Sequence, residues 1–188
     1  MQVNFKNYET TWTWLQKLRR IMIRPAREQL NGAVEVEPNI YRGPETGVVG
    51  RKIESKVLVV VAAQVREGKL GRVRFRCIKN ASSEELTPFV MDNVYINSNV
   101  ITDGWKGYSS LQNKGYKHEV KNISKSDKKA NELLPGVHKV IGLVKRWLLG
   151  THQSAVSKKH LQYYLDKYSF RFNRRLSKHR GKLFFRTI

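Results

Sequence analysis

Two segments of this 188-residue sequence run apolar and end in a carboxylate: Val34-Glu-Val-Glu37 and Val100-Ile-Thr-Asp103. Each reads as a strand, and carboxylates brought to the same end of a sheet can share divalent metal. A metal pair about 3.5 to 4 Å apart stabilises both the attacking and the leaving oxygen of a phosphodiester displacement. The plainer reading of Asp103, which precedes Gly104, is a turn residue. A third group comes from Pro135 to Leu149, where Val137, Val140, Ile141, Val144 and Leu148 recur as one face of a helix and His138 lies beside that stripe. Lys145 follows His138 by nearly two helical turns, so both share a face about 10.5 Å apart along the axis. A lone histidine at such a place is more often packed or solvated than a ligand.

The elements that must position these groups can be read along the chain. Trp12, Leu15, Leu18 and Met22 mark the expected buried face of a helix over Thr10 to Ile23, closed by Pro25. Gly32 to Glu37 reads as a strand ended by Pro38, which cannot continue a central ladder. A glycine-containing loop follows from Gly43 to Gly50. Lys56 to Val65 and Arg72 to Ile78 read as two strands, with Gly68 and Gly71 marking the hairpin. The second alternates basic and apolar residues, as a strand with one wet face would. Next come a helix over Ser82 to Val94 with a Ser-Ser-Glu-Glu start, a short strand to Asp103 and a short helix over Trp105 to Lys114. His118 to Val120 reads as a fifth strand and Lys121 to Glu132 as a polar, mobile loop. Pro135 to Leu149, stopped by Gly150, and Lys158 to Arg171 complete the helices. Three meander strands followed by αβαβα are the order of an RNase H-like α/β domain, a mixed sheet of about five strands with flanking helices, and an order that other α+β folds can share.

Composition narrows the function. Lys and Arg number 36 against 15 Asp and Glu, a net charge of +21, and 40% of the residues are hydrophobic. Such a chain folds and attracts polyanions, nucleic acid first. From Lys139 onward there are 13 Lys and Arg against one acid, Asp166, so this quarter is a candidate DNA track. Its aromatics, Trp147, Tyr163, Tyr164, Tyr168, Phe170, Phe172, Phe184 and Phe185, are expected to be mostly helix core. The longest apolar run, Val57 to Ala63, is far too short to span a membrane, and the start lacks the pattern of a secretory signal. A cytoplasmic, nucleoid-associated protein is expected. The single cysteine, Cys77, excludes an internal disulfide framework and a multi-cysteine zinc site, so no zinc is expected in this chain. Alternation with Val73 and Phe75 makes it a core thiol.

Asn7-Tyr-Glu-Thr-Thr-Trp-Thr-Trp-Leu-Gln-Lys-Leu-Arg-Arg20, Val34-Glu-Val-Glu37, Val100-Ile-Thr-Asp-Gly-Trp-Lys-Gly-Tyr108, Leu133-Leu-Pro-Gly-Val-His138, Val144-Lys-Arg-Trp-Leu-Leu-Gly-Thr-His-Gln153 and Phe170-Arg-Phe-Asn-Arg-Arg175 stand in an order that resembles bacterial insertion-sequence transposases of the DDE type. The subgroup it is similar to uses Asp, a second Asp, then Asn, His or Glu, with a Lys seven residues on. The resemblance implies that Asp103 is the second aspartate, His138 the third ligand and Lys145 the trailing lysine. The family's first aspartate falls on Glu37, and its acidic neighbour falls on Pro38. The resemblance further implies divalent metal, Mg²⁺ or Mn²⁺, held by Glu37, Asp103 and His138. It implies DNA, both element ends and target, as substrate, and a homo-oligomer as the working form. Lys139, Lys145, Arg146, Arg171, Arg174 and Arg175 are the expected DNA contacts.

The family's amino-terminal zinc-binding segment has no counterpart here, and the loop Tyr41-Arg-Gly-Pro-Glu-Thr-Gly47 is altered, so a truncated copy is expected. Three parts are expected: residues 1–31 as a helical remnant of the DNA-recognition region, 32–150 as the RNase H-like catalytic domain, and 151–188 as a basic helix and tail packed on it. Two functions compete. One is a metal-dependent transposase impaired by Glu37 and truncation; the other is a remnant that binds DNA non-specifically without chemistry. A small basic ribosomal or nucleoid protein is disfavoured by the ordered motifs.

Overall fold

The computed structural model describes residues 7–23, 27–42, 56–122, 126–152 and 156–178. Pro25, the loop from Gly43 to Gly50, Gln153, Phe184 and Phe185 lie outside these residues. The elements run α1 (Tyr8–Ile21), β1 (Ala33–Arg42), β2 (Lys56–Arg66), β3 (Lys69–Ile78), α2 (Ser83–Asn93), β4 (Asn99–Thr102), β5 (Lys117–Val120), α3 (Ala130–Leu133), α4 (Pro135–His152) and α5 (Leu161–Asn173). The sheet order is β3-β2-β1-β4-β5. β1, β2 and β3 pair antiparallel, whereas β4 is parallel to β1 and β5 parallel to β4. This mixed sheet with flanking helices is the expected RNase H-like architecture.

Period-two alternation divides the core between the two faces of the sheet. Val34, Val36, Val60 and Ala62 pack with Leu86, Phe89 and Val90 of α2. Val59, Val61, Ala63, Val73 and Phe75 pack with Val137, Val140, Ile141, Val144 and Leu148 of α4 and Leu161 and Leu165 of α5. Cys77 is half-buried against this second layer, and burial pushes its thiol up to about 12. Four of the six described carboxyl-terminal aromatics are core, as expected: Trp147, Tyr164, Tyr168 and Phe172 pack on the same layer.

Several expectations change. Pro38 does not end β1, which runs on to Arg42. Pairing with β4 stops at Glu35↔Ile101, so beyond that point β1 is an edge on the β4 side, where a missing N–H is tolerated. The hairpin turn is Glu67-Gly68, both at positive φ, while Gly71 lies inside β3. A Cβ at Gly71 would come 2.7 Å from the Gln64 side chain, which sits at a register shift in β2. Trp105 to Lys114 forms two 3-10 turns, Lys106–Tyr108 and Gln112–Lys114, because Leu111 and Tyr108 are pulled into the core between them. The expected loop before α4 contains α3. α4 passes Gly150, at a cost of about 1 kcal/mol for glycine, and its last turn is held by His152, edge-on to Trp147 and Tyr164.

α1 also turns its face. Leu15 and Leu18 are exposed and Gln16 and Arg19 are buried. The helix lies on α5, where the Arg19 guanidinium stacks over Tyr164 at 4.2 Å and Trp12 stands edge-on to His160. Long polar side chains can cover an aromatic surface with their stems, so Trp12 of the apolar stripe packs while Leu15 and Leu18 give way to Gln16 and Arg19.

α5 finishes the outer edge of the sheet. Gln162 Oε1 accepts the Cys77 N–H at 2.8 Å, Asn173 Oδ1 accepts the Val73 N–H at 2.7 Å, and Ser169 and Asn173 donate to the Val73 carbonyl. These side chains satisfy the edge strand's backbone as another strand would, and protect it from aberrant pairing.

The start of α4 is fixed to β1 by one contact. Pro135 occupies the first turn, where its missing N–H costs nothing, and the next free amides point at Glu35. Glu35 Oε2 accepts the Val137 N–H at 2.7 Å, and the carboxylate is 5% exposed. A Cβ at Gly136 would lie 2.8 Å from Val65 and 3.0 Å from Glu35 Oε2, so only glycine allows the approach. Burial pushes the Glu35 carboxyl up, while the Val137 and Gly136 amides pull it down. Glu35→Ala should therefore lose about 2 kcal/mol in urea denaturation, and Glu35→Gln, which keeps an acceptor, distinctly less. Gly136→Ala should lose about 1 to 3 kcal/mol by overpacking. Equal stability of all three variants with the native protein would contradict this contact.

Candidate active site

The last paired residues of β1 and β4 are Glu35 and Ile101. Two residues further on stand Glu37, still in β1, and Asp103, just past the end of β4, at matching positions where the strands part. Period two puts Glu37 on the Glu35 face and Asp103 on the Ile101 face, and both faces look toward the α4 layer. α4 then brings His138 over Glu37, one residue after the amide that Glu35 holds. Glu37 and His138 thus meet at this sheet end, with Asp103 at the matching position beside β4.

Glu37 Oε2 and His138 Nε2 are 3.0 Å apart, and their side chains are 12% and 23% exposed. The two atoms are close but poorly aligned, so both are buried without a hydrogen-bond partner. Burial pushes the Glu37 carboxyl up to about 7, with Asp103 adding to the rise and Lys145 opposing it. Burial and then Lys145 push His138 down, which favours the neutral imidazole. Two unsatisfied lone-pair donors facing each other fit a divalent cation by the chemistry of the donor set.

Asp103 stands apart from that pair. Its Oδ1 accepts the Trp105 N–H at 3.1 Å, so it makes the turn expected of an Asp before glycine, with Gly104 at φ 86°. Its charge is nonetheless felt at Glu37 and at the Tyr108 hydroxyl. Among the described residues, no three His, Cys, Asp or Glu side chains gather closely enough to cage a metal. Glu37 and His138 meet, and Asp103 contributes electrostatically from the neighbouring strand.

Lys145 occupies the position two turns along α4 and extends over the Tyr41 ring, 5.7 Å from its centroid. It lines a cleft of about 670 Å³ with Pro38, Tyr41, Lys56 and Leu148. Lys56, Glu35, Tyr41 and Tyr108 were not singled out for a site in the sequence. Lys56 sits at a strand start whose position depends on the pairing Arg42↔Lys56, which no local pattern reveals. Tyr41 and Tyr108 are buried with hydroxyls that lack a partner, and for both Glu37 is among the nearby charges. For Tyr108, its place in Asp103-Gly-Trp-Lys-Gly-Tyr108 is the signal that could have found it.

The expected DNA contacts divide. Lys139 and Arg146 on α4 and Arg171 on α5 are exposed. Arg174 stacks on Phe170 at 3.9 Å and donates to the Phe170 carbonyl. Arg175 stacks on Phe172 at 4.1 Å, and its guanidinium donates to the carbonyls of Leu70, Gly71 and Phe172. Arg175 thereby ties the end of α5 to the start of β3.

No helix among the described residues is long and apolar enough to cross a membrane. A search of curated proteins finds no match. Residues 29–173 match the family described as the ISXO2-like transposase domain, a span that contains the whole sheet, Glu37, Asp103, His138 and Lys145. With most of the chain inside that match, this protein belongs to the ISXO2-like transposase domain family and is an insertion-sequence transposase of the DDE type.

Proposed function

We propose that this transposase cuts and joins DNA at the parting of β1 and β4 beneath α4, with divalent metal held by Glu37 and His138 and Asp103 adding its charge from the neighbouring strand. The observation that carries the reading is the pair of buried, unpartnered donor atoms, Glu37 Oε2 and His138 Nε2, 3.0 Å apart. Bound metal would supply the charge that stabilises the attacking and leaving oxygens of a phosphodiester displacement. The chain's own residues do the rest. His138 offers a neutral lone pair, Asp103 brings a second negative charge, and Lys145 meets a non-bridging phosphate oxygen and orients the scissile group. Water attacks the phosphodiester at the element's end and displaces its 3′-oxygen, and the freed 3′-hydroxyl then attacks a target phosphodiester and displaces the target's own 3′-oxygen. The basic positions Lys139, Arg146 and Arg171 would hold backbone phosphates without reading sequence. Residues 1–31 would assist DNA recognition, 32–150 carry the chemistry and 151–188 add the basic face; a homo-oligomer in the nucleoid-containing cytoplasm is the working form.

Glu37 carries one methylene more than the aspartate of the family, which displaces its carboxylate by about 1.5 Å. Because catalysis is sensitive to shifts of about 1 Å, the native protein should be slow. This departure also favours a second reading, in which the protein binds DNA and performs no chemistry.

Nicking and strand transfer on DNA bearing the element's ends separate the two. Asp103→Ala should lose at least about a hundredfold in rate, and Glu37→Asp should gain roughly tenfold or more. Activity with Mn²⁺ should exceed that with Mg²⁺, because imidazole suits transition metals better. Strand transfer that persists in Asp103→Ala would remove the site assignment; no signal in any variant, with salt-sensitive DNA binding intact, would establish the binding reading.

The metal-free protein should also respond to pH. Glu37 is raised from its ordinary value of 4.5 to about 7, so the folded state favours the neutral carboxyl. Its stabilising contribution is complete below 4.5 and is lost as pH rises through about 7. The melting temperature without metal should fall across that window, and Glu37→Gln should flatten the fall. A native profile identical to that of Glu37→Gln would contradict the buried position of this carboxylate.

A further inference from the structure

The alternating arginines of β3 are not a wet face. Arg72 and Arg74 leave the strand on the side opposite the layer that holds Val73 and Phe75, at the outer edge of the sheet. Arg74 is only 3% exposed. With Arg27 from the segment before β1 and Arg174 from the turn after α5, these side chains line one cleft. Glu28 is the only carboxylate among its lining residues, and it is already paired with Arg72 at 2.5 Å while 84% exposed.

Arg74 lacks an anion of its own. Nη1 donates to the Val73 carbonyl at 3.0 Å and Nη2 to the Glu28 carbonyl at 2.6 Å, while Nε is buried without a hydrogen-bond partner. Burial, then the charges of Arg27 and Arg72, push its guanidinium down to about 9, with Glu28 opposing and Arg174 adding to the fall, so it remains charged at neutral pH. Burying a cation against neutral carbonyls and like charges is costly, and an entering oxyanion would relieve both. Guanidinium forks match the paired oxygens of a phosphate better than any other side chain does.

We propose that this cleft is a phosphate-binding site, separate from the Glu37–His138 site, and that it takes a backbone phosphate of the DNA on which the transposase acts. The DNA assignment rests on the transposase reading; the phosphate chemistry does not. The cleft would hold a strand at the β3 edge while the scissile phosphate lies across the sheet at the parting of β1 and β4.

Two arms test it on the full chain. In the first, inorganic phosphate should raise the melting temperature of the native protein by more than chloride does at equal ionic strength. Arg72→Gln and Arg174→Gln should abolish that excess, Glu28→Gln should enlarge it by freeing Arg72, and Asp103→Ala should keep it. In the second, the slope of log affinity for duplex DNA against log salt should become shallower by about 1 in Arg72→Gln. A native protein stabilised no more by phosphate than by chloride, or a response unchanged in both arginine variants and in Glu28→Gln, overturns the site. A phosphate response lost in the variants with an unchanged DNA slope overturns the DNA assignment. Because Asp103 lies outside the cleft, loss of nicking in Asp103→Ala leaves this result independent of the catalytic reading.

Discussion

The buried contact between Glu35 and the amino end of α4 is the constraint on which the site depends. β1 supplies Glu37 and α4 supplies His138, and nothing local in either element requires them to meet. The Glu35 carboxylate, one residue pair below Glu37, accepts the amide one residue before His138. A helix amino terminus attracts negative charge because its first amides are unpaired, and here the attraction is aimed across an interface. Gly136 lets the helix come close enough, and Pro135 gives up an amide that would otherwise need a partner. The sequence Leu134-Pro-Gly-Val-His138 is therefore a docking device as much as a ligand motif.

The cost of this arrangement is a crowd of like charges. Glu35, Glu37 and Asp103 share one sheet end, and burial with mutual repulsion raises Glu37 well above the usual carboxylate range. Native proteins leave such groups together where a cation is to be bound, since one divalent charge offsets the repulsion and uses the unpartnered lone pairs. Lys145 supplies part of that compensation from two turns along the same helix. Its position over Tyr41 places the positive charge in the open cleft, where a phosphate could displace it from the ring without breaking a buried ion pair.

Much of this was legible in the residues because the controlling signals were local. A valine-rich apolar run gave β2, the Pro135 start and three- and four-residue spacing gave α4, and two apolar runs closing on Glu37 and Asp103 gave the two strands of the site. The parallel neighbouring of β1 and β4 that brings Glu37 and Asp103 to one sheet end is what the RNase H-like element order implies. What failed depended on tertiary partners. Pro38 reads as a strand end only if β1 is flanked on both sides along its whole length. The packed face of α1 departs from its apolar stripe because Arg19 meets the ring of Tyr164 on α5, more than a hundred residues away. Arg74 reads as solvated in an alternating strand, and its burial comes from the segment before β1 and from α5. Period two puts Glu35 on the face of Glu37, but its partner amide lies a hundred residues downstream.

The central claim is that Glu37 and His138 share one divalent ion, and pulsed electron paramagnetic resonance of the Mn²⁺-loaded protein tests it most directly. A nitrogen coupling to Mn²⁺ that is present in the native protein and lost in His138→Ala, with weakened Mn²⁺ binding in Glu37→Ala, is the predicted result. Mn²⁺ that binds with no nitrogen coupling, or with a coupling unchanged in His138→Ala, would contradict it.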